Sequence, residues 1–181
     1  KNKVLLCVAE ELDKNRNSII SANKIDIENA RSNGMSESII DRLMLDDKRI
    51  DGIISSLKEV ISQGDPVGEE VAGWKTPNGM SIRQVRVPLG VVGIIYENRP
   101  NVTVDAFSLA YKSGNSILLR GSSSSYVSNK EIVRVIKNGL EKAKDFGGIP
   151  EAIELVEVKE HNHEDVDQIL NAVGKIDVVL P

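Results

Sequence analysis

Val4, Leu5, Val8 and Leu12 recur at steps of three and four, and Ile19, Ile20, Asn23, Ile27 and Ala30 carry the stripe onward with polar residues between them. Side chains at that spacing line one side of a 3.6-residue helix, so the pattern predicts amphipathic helices that bury one face. Gly34 reads as a helix stop, and Ser36 as the cap of a helix over 37–44. Asp46 opens another helix, in which Ile50, Ile53, Ile54, Leu57 and Ile61 share a face until Gly64, and Asp65-Pro66 then breaks the pattern.

From 69 to 87 the period falls to two. Thr76-Pro77-Asn78-Gly79 supplies a turn between EEVAGWK and MSIRQVRV, which predicts a β-hairpin. Beyond Pro88, short β-rich runs alternate with helix-length segments: VVGIIY, a helix over 104–113, SILLR, a helix over 128–146, IELVEV, a helix over 164–173, and IDVVL. That alternation predicts an α/β fold with a parallel, Rossmann-like sheet. The chain is thereby divided into a helical segment over 1–66 packing on the sheet, a hairpin insertion over 67–87 and a Rossmann-like portion over 88–181. It starts inside an amphipathic helix without a Met and stops directly after an apolar strand, which leads us to expect a piece of a longer protein.

Composition narrows the function classes. With 23 Lys+Arg against 27 Asp+Glu, the net charge of −4 supplies no basic footprint for nucleic acid. No run has the ~18 apolar residues of a membrane span, and the charged first stretch is unlike a secretory signal. A single cysteine cannot form an intramolecular disulfide, which fits a reducing, cytoplasmic setting.

Ligands of a parallel sheet sit at the carboxyl ends of its strands, so the residues just past each apolar run are the candidates. In PLGVVGIIYENRPNVT the strand runs straight into Glu97, Asn98, Arg99, Asn101 and Thr103. The alternative is a plain strand end whose asparagines cap turns and the next helix. In KSGNSILLRGSSSS, Arg120 emerges beside four serines, a pairing that suits a phosphate or a ribose near a helix N-terminus; a solvated serine loop is the alternative. His161 and His163 form an H-x-H pair, but no third or fourth ligand is apparent and no metal is expected. Cys7, on an apolar helix face, reads as a core thiol rather than a nucleophile. Trp74 reads as packing, and Asp41-Arg42 as a surface pair or a contact between helices.

These segments resemble the γ-glutamyl phosphate reductases, also called glutamate-5-semialdehyde dehydrogenases, within the aldehyde dehydrogenase superfamily. The resemblance runs through SIISANKIDIENARSNGMSESIIDRLMLDDKRIDGI, DPVGEEVAGWKTPNGMSIRQVRVPLGVVGIIYENRPNVTVDAF, KSGNSILLRG and KIDVVLP. It implies an aldehyde-dehydrogenase-like sheet and an NADPH-dependent reduction of L-glutamyl 5-phosphate to L-glutamate 5-semialdehyde and phosphate in proline biosynthesis. It also implies self-association of the complete enzyme. By the same resemblance, Asn98 would donate to the oxyanion, while Arg99, Asn101 and Thr103 would contact the substrate. Arg120 would face the 2′ position of the cofactor, with Gly121, Ser122, Ser123, Ser124, Ile95 and Tyr96 around it, and Gly148 and Pro150 would line the adenine pocket. The family continues after the arginine position with a glycine and an acid where this chain has serines, and losing that acid removes repulsion toward a 2′-phosphate. Its nucleophilic cysteine lies past the point matching Pro181, so the expectation is a cofactor-binding part that is inactive alone. A non-catalytic nucleotide-binding module, or a relative acting on another acyl substrate, are the alternatives.

Overall fold

A computed structural model describes residues 1–158 and 164–181; the His161 and His163 pair lies outside the described residues. The amphipathic stripes fold as α1 (Asn2–Lys14), α2 (Arg16–Ser32), α3 (Glu37–Leu43) and α4 (Asp47–Ser62). A break separates α1 from α2 at Asn15, whose side-chain amide donates to the Glu11 carbonyl at 2.8 Å. The Asp46 carboxylate accepts from the Arg49 N–H at 2.7 Å and so starts α4 as its sequence position predicts. Ser36 stands at the N-cap of α3, but its hydroxyl makes no capping bond.

The hairpin pairs β1 (Glu70–Lys75) with β2 (Ser81–Val85), antiparallel and with an irregularity between Glu70 and Ala72. Every residue of β1 is exposed, and in β2 only Ile82 is half-buried. The remaining strands, β3 (Val91–Ile95), β4 (Ser116–Arg120), β5 (Ile153–Leu155) and β6 (Val178–Leu180), form one parallel sheet in the order β5-β4-β3-β6. Joining them are α5 (Asn101–Lys112), α6 (Tyr126–Lys142) and α7 (Glu164–Leu170). Two helices begin earlier than the apolar periodicity predicts: α5 starts at Asn101 because Pro100 is already helical at φ −58° and ψ −27°, and α6 starts at Tyr126. The run IELVEV yields only the three residues of β5.

One core joins the helical segment to the sheet. Leu5 and Leu12 of α1, Leu57 of α4, Phe107 of α5, Ile136 and Leu140 of α6, and Leu119 and Ile153 of the sheet are all buried in a single cluster. Removing that apolar surface from water supplies the main drive for folding. On the opposite side of β3, a Cβ built on Gly93 would touch Ile169 of α7 and Ile176, each within 3.6 Å.

Candidate functional site

The first strand of the sheet, β3, is flanked by the second, β4, and by the last, β6, so the strand order reverses at β3. A crevice for ligands opens at the carboxyl ends of strands where the order reverses. Here those ends deliver Tyr96, Glu97 and Asn98 from β3, and Gly121 and Ser122 from β4. Half-buried Asn98 accepts the Ser124 hydroxyl at its Oδ1 at 2.5 Å. That bond fixes which end of the amide faces which way, and it leaves both Nδ2 hydrogens uncommitted among the described residues.

Behind Asn98 runs a chain of hydrogen bonds. The Tyr96 hydroxyl lies 2.7 Å from Thr103 Oγ1, Thr103 donates to Asn129 Oδ1 at 3.1 Å, and Asn129 Nδ2 donates to Ser125 Oγ at 3.1 Å. Ser125 in turn donates to the Ser122 carbonyl at 3.2 Å. Burial pushes the Tyr96 hydroxyl up to about 12 despite the Thr103 hydrogen bond, so it stays protonated as a positioning group. Thr103 is fully buried and its hydroxyl is spent within this chain of bonds. It therefore holds α5 to α6 rather than reaching a substrate, which corrects the expectation for it. Gly121 is also closed in: a Cβ there would stand 2.2 Å from Asn129 Nδ2 and 3.2 Å from the Tyr96 ring, so only glycine lets β4 end against this network.

Internal carboxylates answer two anion-binding features expected from the sequence. Arg120 donates from Nε to Asp165 Oδ2 at 2.8 Å and from Nη2 to Asp165 Oδ1 at 3.5 Å, with side-chain exposures of 13% and 10%. The Arg120 hydrogen bond holds the Asp165 carboxyl below the usual range. At the start of α6, Asp26 of α2 accepts from the Ser128 N–H at 2.7 Å, the Ser128 hydroxyl at 2.5 Å and the Val127 N–H at 3.3 Å. These donors are thus taken, and the helix N-terminus does not serve as the phosphate site that the serine run suggests. Burial pushes the Asp26 carboxyl up, and the bonds from Ser128 and Val127 oppose that shift.

Gly148 and Pro150 precede β5, and β5 runs parallel to β4 with Ile153 beside Ile117. They therefore stand at the amino end of the sheet, opposite Arg120, and cannot line a pocket at the carboxyl ends. Gly148 is packed instead against α6, where a Cβ would meet the Leu140 carbonyl at 2.0 Å. Ile95 is half-buried at the end of β3, and Ser123 is exposed. Cys7 lies half-buried on α1 against the helical core, as its sequence position predicts.

Arg99 and Asn101 do not join the hydrogen bonds around Asn98 among the described residues. With Arg42, Arg49, Gly52 and Asp105 they line a cleft of about 380 Å³ between the α3–α4 corner and the start of α5. Asp41 pairs with Arg49 at 2.6 Å within α3 and α4, so it joins helices as one of its sequence readings has it. Asp26, Asp105, Asn129 and Asp165 were not singled out by their sequence pattern. The available signal was a polar side chain on a buried helix stripe, which Asn23 and Asp26 give on α2.

No protein-family model matches the chain. The γ-glutamyl phosphate reductase of Aquifex aeolicus is 46% identical over 181 residues, which is all of this chain and 40% of the relative. The crystal structure of γ-glutamyl phosphate reductase from Thermotoga maritima superposes with a TM-score of 0.92 at 43% identity, covering 99% of this chain and 42% of that one. This chain resembles the γ-glutamyl phosphate reductases along its whole length. It spans about two fifths of the length of these reductases. An NAD-dependent benzaldehyde dehydrogenase from Corynebacterium glutamicum, 19% identical with a TM-score of 0.69 over 98% of this chain and 34% of its own, shares the fold. The fold class is thus aldehyde-dehydrogenase-like, a parallel sheet with helices before it and a hairpin inserted. Among the described residues, no helix is long and apolar enough to cross a membrane.

Proposed function

We propose that this chain contributes the cofactor-binding sheet and the oxyanion donor of a γ-glutamyl phosphate reductase, which reduces L-glutamyl 5-phosphate with NADPH to L-glutamate 5-semialdehyde and phosphate in proline biosynthesis. The observation that carries the reading is 46% identity over all 181 residues to a relative of that activity. Supporting it, Asn98 stands at the strand-order reversal with its amide oxygen held by Ser124 and its N–H bonds free to point at a reacting oxygen. A donor fixed in advance needs no reorganisation as negative charge develops, which is why such groups lower barriers. Among these residues the one cysteine, Cys7, lies away from that position in the helical core, so the reading takes the nucleophile from elsewhere in the enzyme.

On this reading a dinucleotide would lie at the carboxyl end of β4. Arg120 spends Nε and Nη2 on Asp165 and keeps Nη1 uncommitted among the described residues, with Ser122 and Ser123 following it closely in the chain. Arg120 would meet the 2′-phosphate, and the serines with Ile95 and Tyr96 would line the ribose side. Bound there, the cofactor would supply the hydride. Arg99 and Asn101 would contact the substrate. The complete enzyme on this reading is a cytoplasmic homo-oligomer, with the exposed hairpin around Trp74 available for self-contact.

Asn98→Ala in the full-length protein should lower kcat by about a hundredfold while NADPH binding persists, and Ser124→Ala should lose about fivefold. Steady-state turnover of glutamate 5-semialdehyde with phosphate, in the reverse direction, measures both. Near-normal turnover of Asn98→Ala removes that residue from the mechanism.

A further inference from the structure

The cleft over α4 carries a charge arrangement that the nucleotide site does not use. Asp105, half-buried on α5, accepts only the Asn101 amide at 3.1 Å, and no cation lies within ion-pair distance of it among the described residues. Desolvation pushes its carboxyl up, and the Asn101 bond opposes that shift. Arg99 and Arg42 line the same cleft, both exposed and neither ion-paired among the described residues. Arg49, by contrast, is paired: it bonds Asp41 and the Met44 carbonyl and so ties α3 to α4. Gly52 interrupts α4 mid-helix, where glycine costs about 0.5–1 kcal/mol relative to alanine. No atom lies within 4 Å of where its Cβ would be, so packing against the protein does not require the glycine, which is part of the cleft wall.

One unpaired carboxylate and two unpaired guanidinium groups around a cleft of about 380 Å³ are complementary to a group bearing both a cation and an anion. Arg99 follows Asn98 directly, with Cα atoms about 3.8 Å apart. The cleft thus begins one residue past the proposed oxyanion donor along the chain. Resting on the reductase reading above, we propose that the cleft binds the α-amino acid end of the glutamyl substrate, Asp105 taking the α-ammonium and Arg99 with Arg42 the α-carboxylate.

L-Glutamate and glutarate differ only by the ammonium group, so calorimetric titration of both into the full-length protein isolates the role of Asp105. Asp105→Asn should weaken L-glutamate tenfold or more and leave glutarate within twofold. Arg99→Gln should weaken both by the same factor, and Gly52→Leu, which fills the cleft without changing a charge, should abolish both. The proposal is overturned if L-glutamate does not bind the wild-type protein, if Asp105→Asn binds it normally, or if that variant loses both ligands in parallel. NADPH-dependent turnover by the same preparation reports separately on the reductase reading. Turnover with binding indifferent to Asp105 ends the cleft assignment alone, whereas Asp105-dependent binding without turnover ends the reductase reading and leaves the cleft as an amino-acid site.

Discussion

Replacing Asp26 with alanine should unfold the junction between α2 and α6 at a cost that the structure lets us work out. Asp26 is 2% exposed and takes two backbone N–H groups at the start of α6 and the Ser128 hydroxyl. Loss of a helix cap costs about 1 kcal/mol. Leaving a buried donor unpaired costs about 1–3 kcal/mol, and the Ser128 N–H at 2.7 Å is the one most firmly held. Alanine also relieves the burial of a carboxylate, so the net loss is about 2–4 kcal/mol, or roughly 5–15 °C in Tm for a unit of this size. The pH dependence carries its own sign. Because burial raises the folded carboxyl above its unfolded value, the native state holds a proton that the unfolded chain has released. Between those two values the wild-type protein loses stability as pH rises, and its advantage over Asp26→Ala shrinks toward neutrality. Urea unfolding of both proteins at several values between about pH 4 and pH 7 measures this. A loss below about 1 kcal/mol, or an advantage that grows with pH, would refute the reasoning.

Further predictions concern the carboxyl end of β4. Arg120→Ala should weaken NADPH more than NADH, and Asp165→Asn, which frees the guanidinium, should tighten 2′,5′-ADP; calorimetry of the three ligands checks both, and equal effects on NADPH and NADH would remove the 2′-phosphate role. Gly121→Ala should destabilise by about 1–3 kcal/mol, because its Cβ collides with the Asn129 amide. Asn129→Ala in the same chain should recover part of that loss in urea unfolding.

The helices and strands were legible because their apolar positions keep one period over many residues, as Ile50, Ile53, Ile54 and Leu57 do along α4. Their ends were less so. Proline at 100 extends α5 forward by fixing a helical φ, an effect that hydrophobic periodicity does not register. The strand-end cluster that holds Asn98 follows from topology, whereas the choice of Asn98 within it rests on the resemblance. Its partner Ser124 could not be told from its three neighbours, since only the turn beyond β4 decides which serine reaches back. Arg120 and the start of α6 both looked open to anions because their counter-charges lie 45 residues ahead at Asp165 and about 100 residues behind at Asp26. A local pattern carries no information about a pairing that only the fold creates. Gly148 and Pro150 were assigned through the resemblance, although their place before β5 already sets them at the amino end of a parallel sheet.

The hairpin of β1 and β2 has consequences for cooperativity. A lone two-stranded ribbon is marginal in water, and this one has almost every side chain in solvent, including Trp74 at 52% exposure. Its opening is therefore a local event that leaves the main core intact. Backbone amides of β1 should exchange their hydrogens long before those of Leu119 or Val92, and heat should melt the two parts separately. Substitutions at Val71, Trp74 or Met80 would then leave the core transition where it is, and their cost would appear only in whatever contact orders the ribbon.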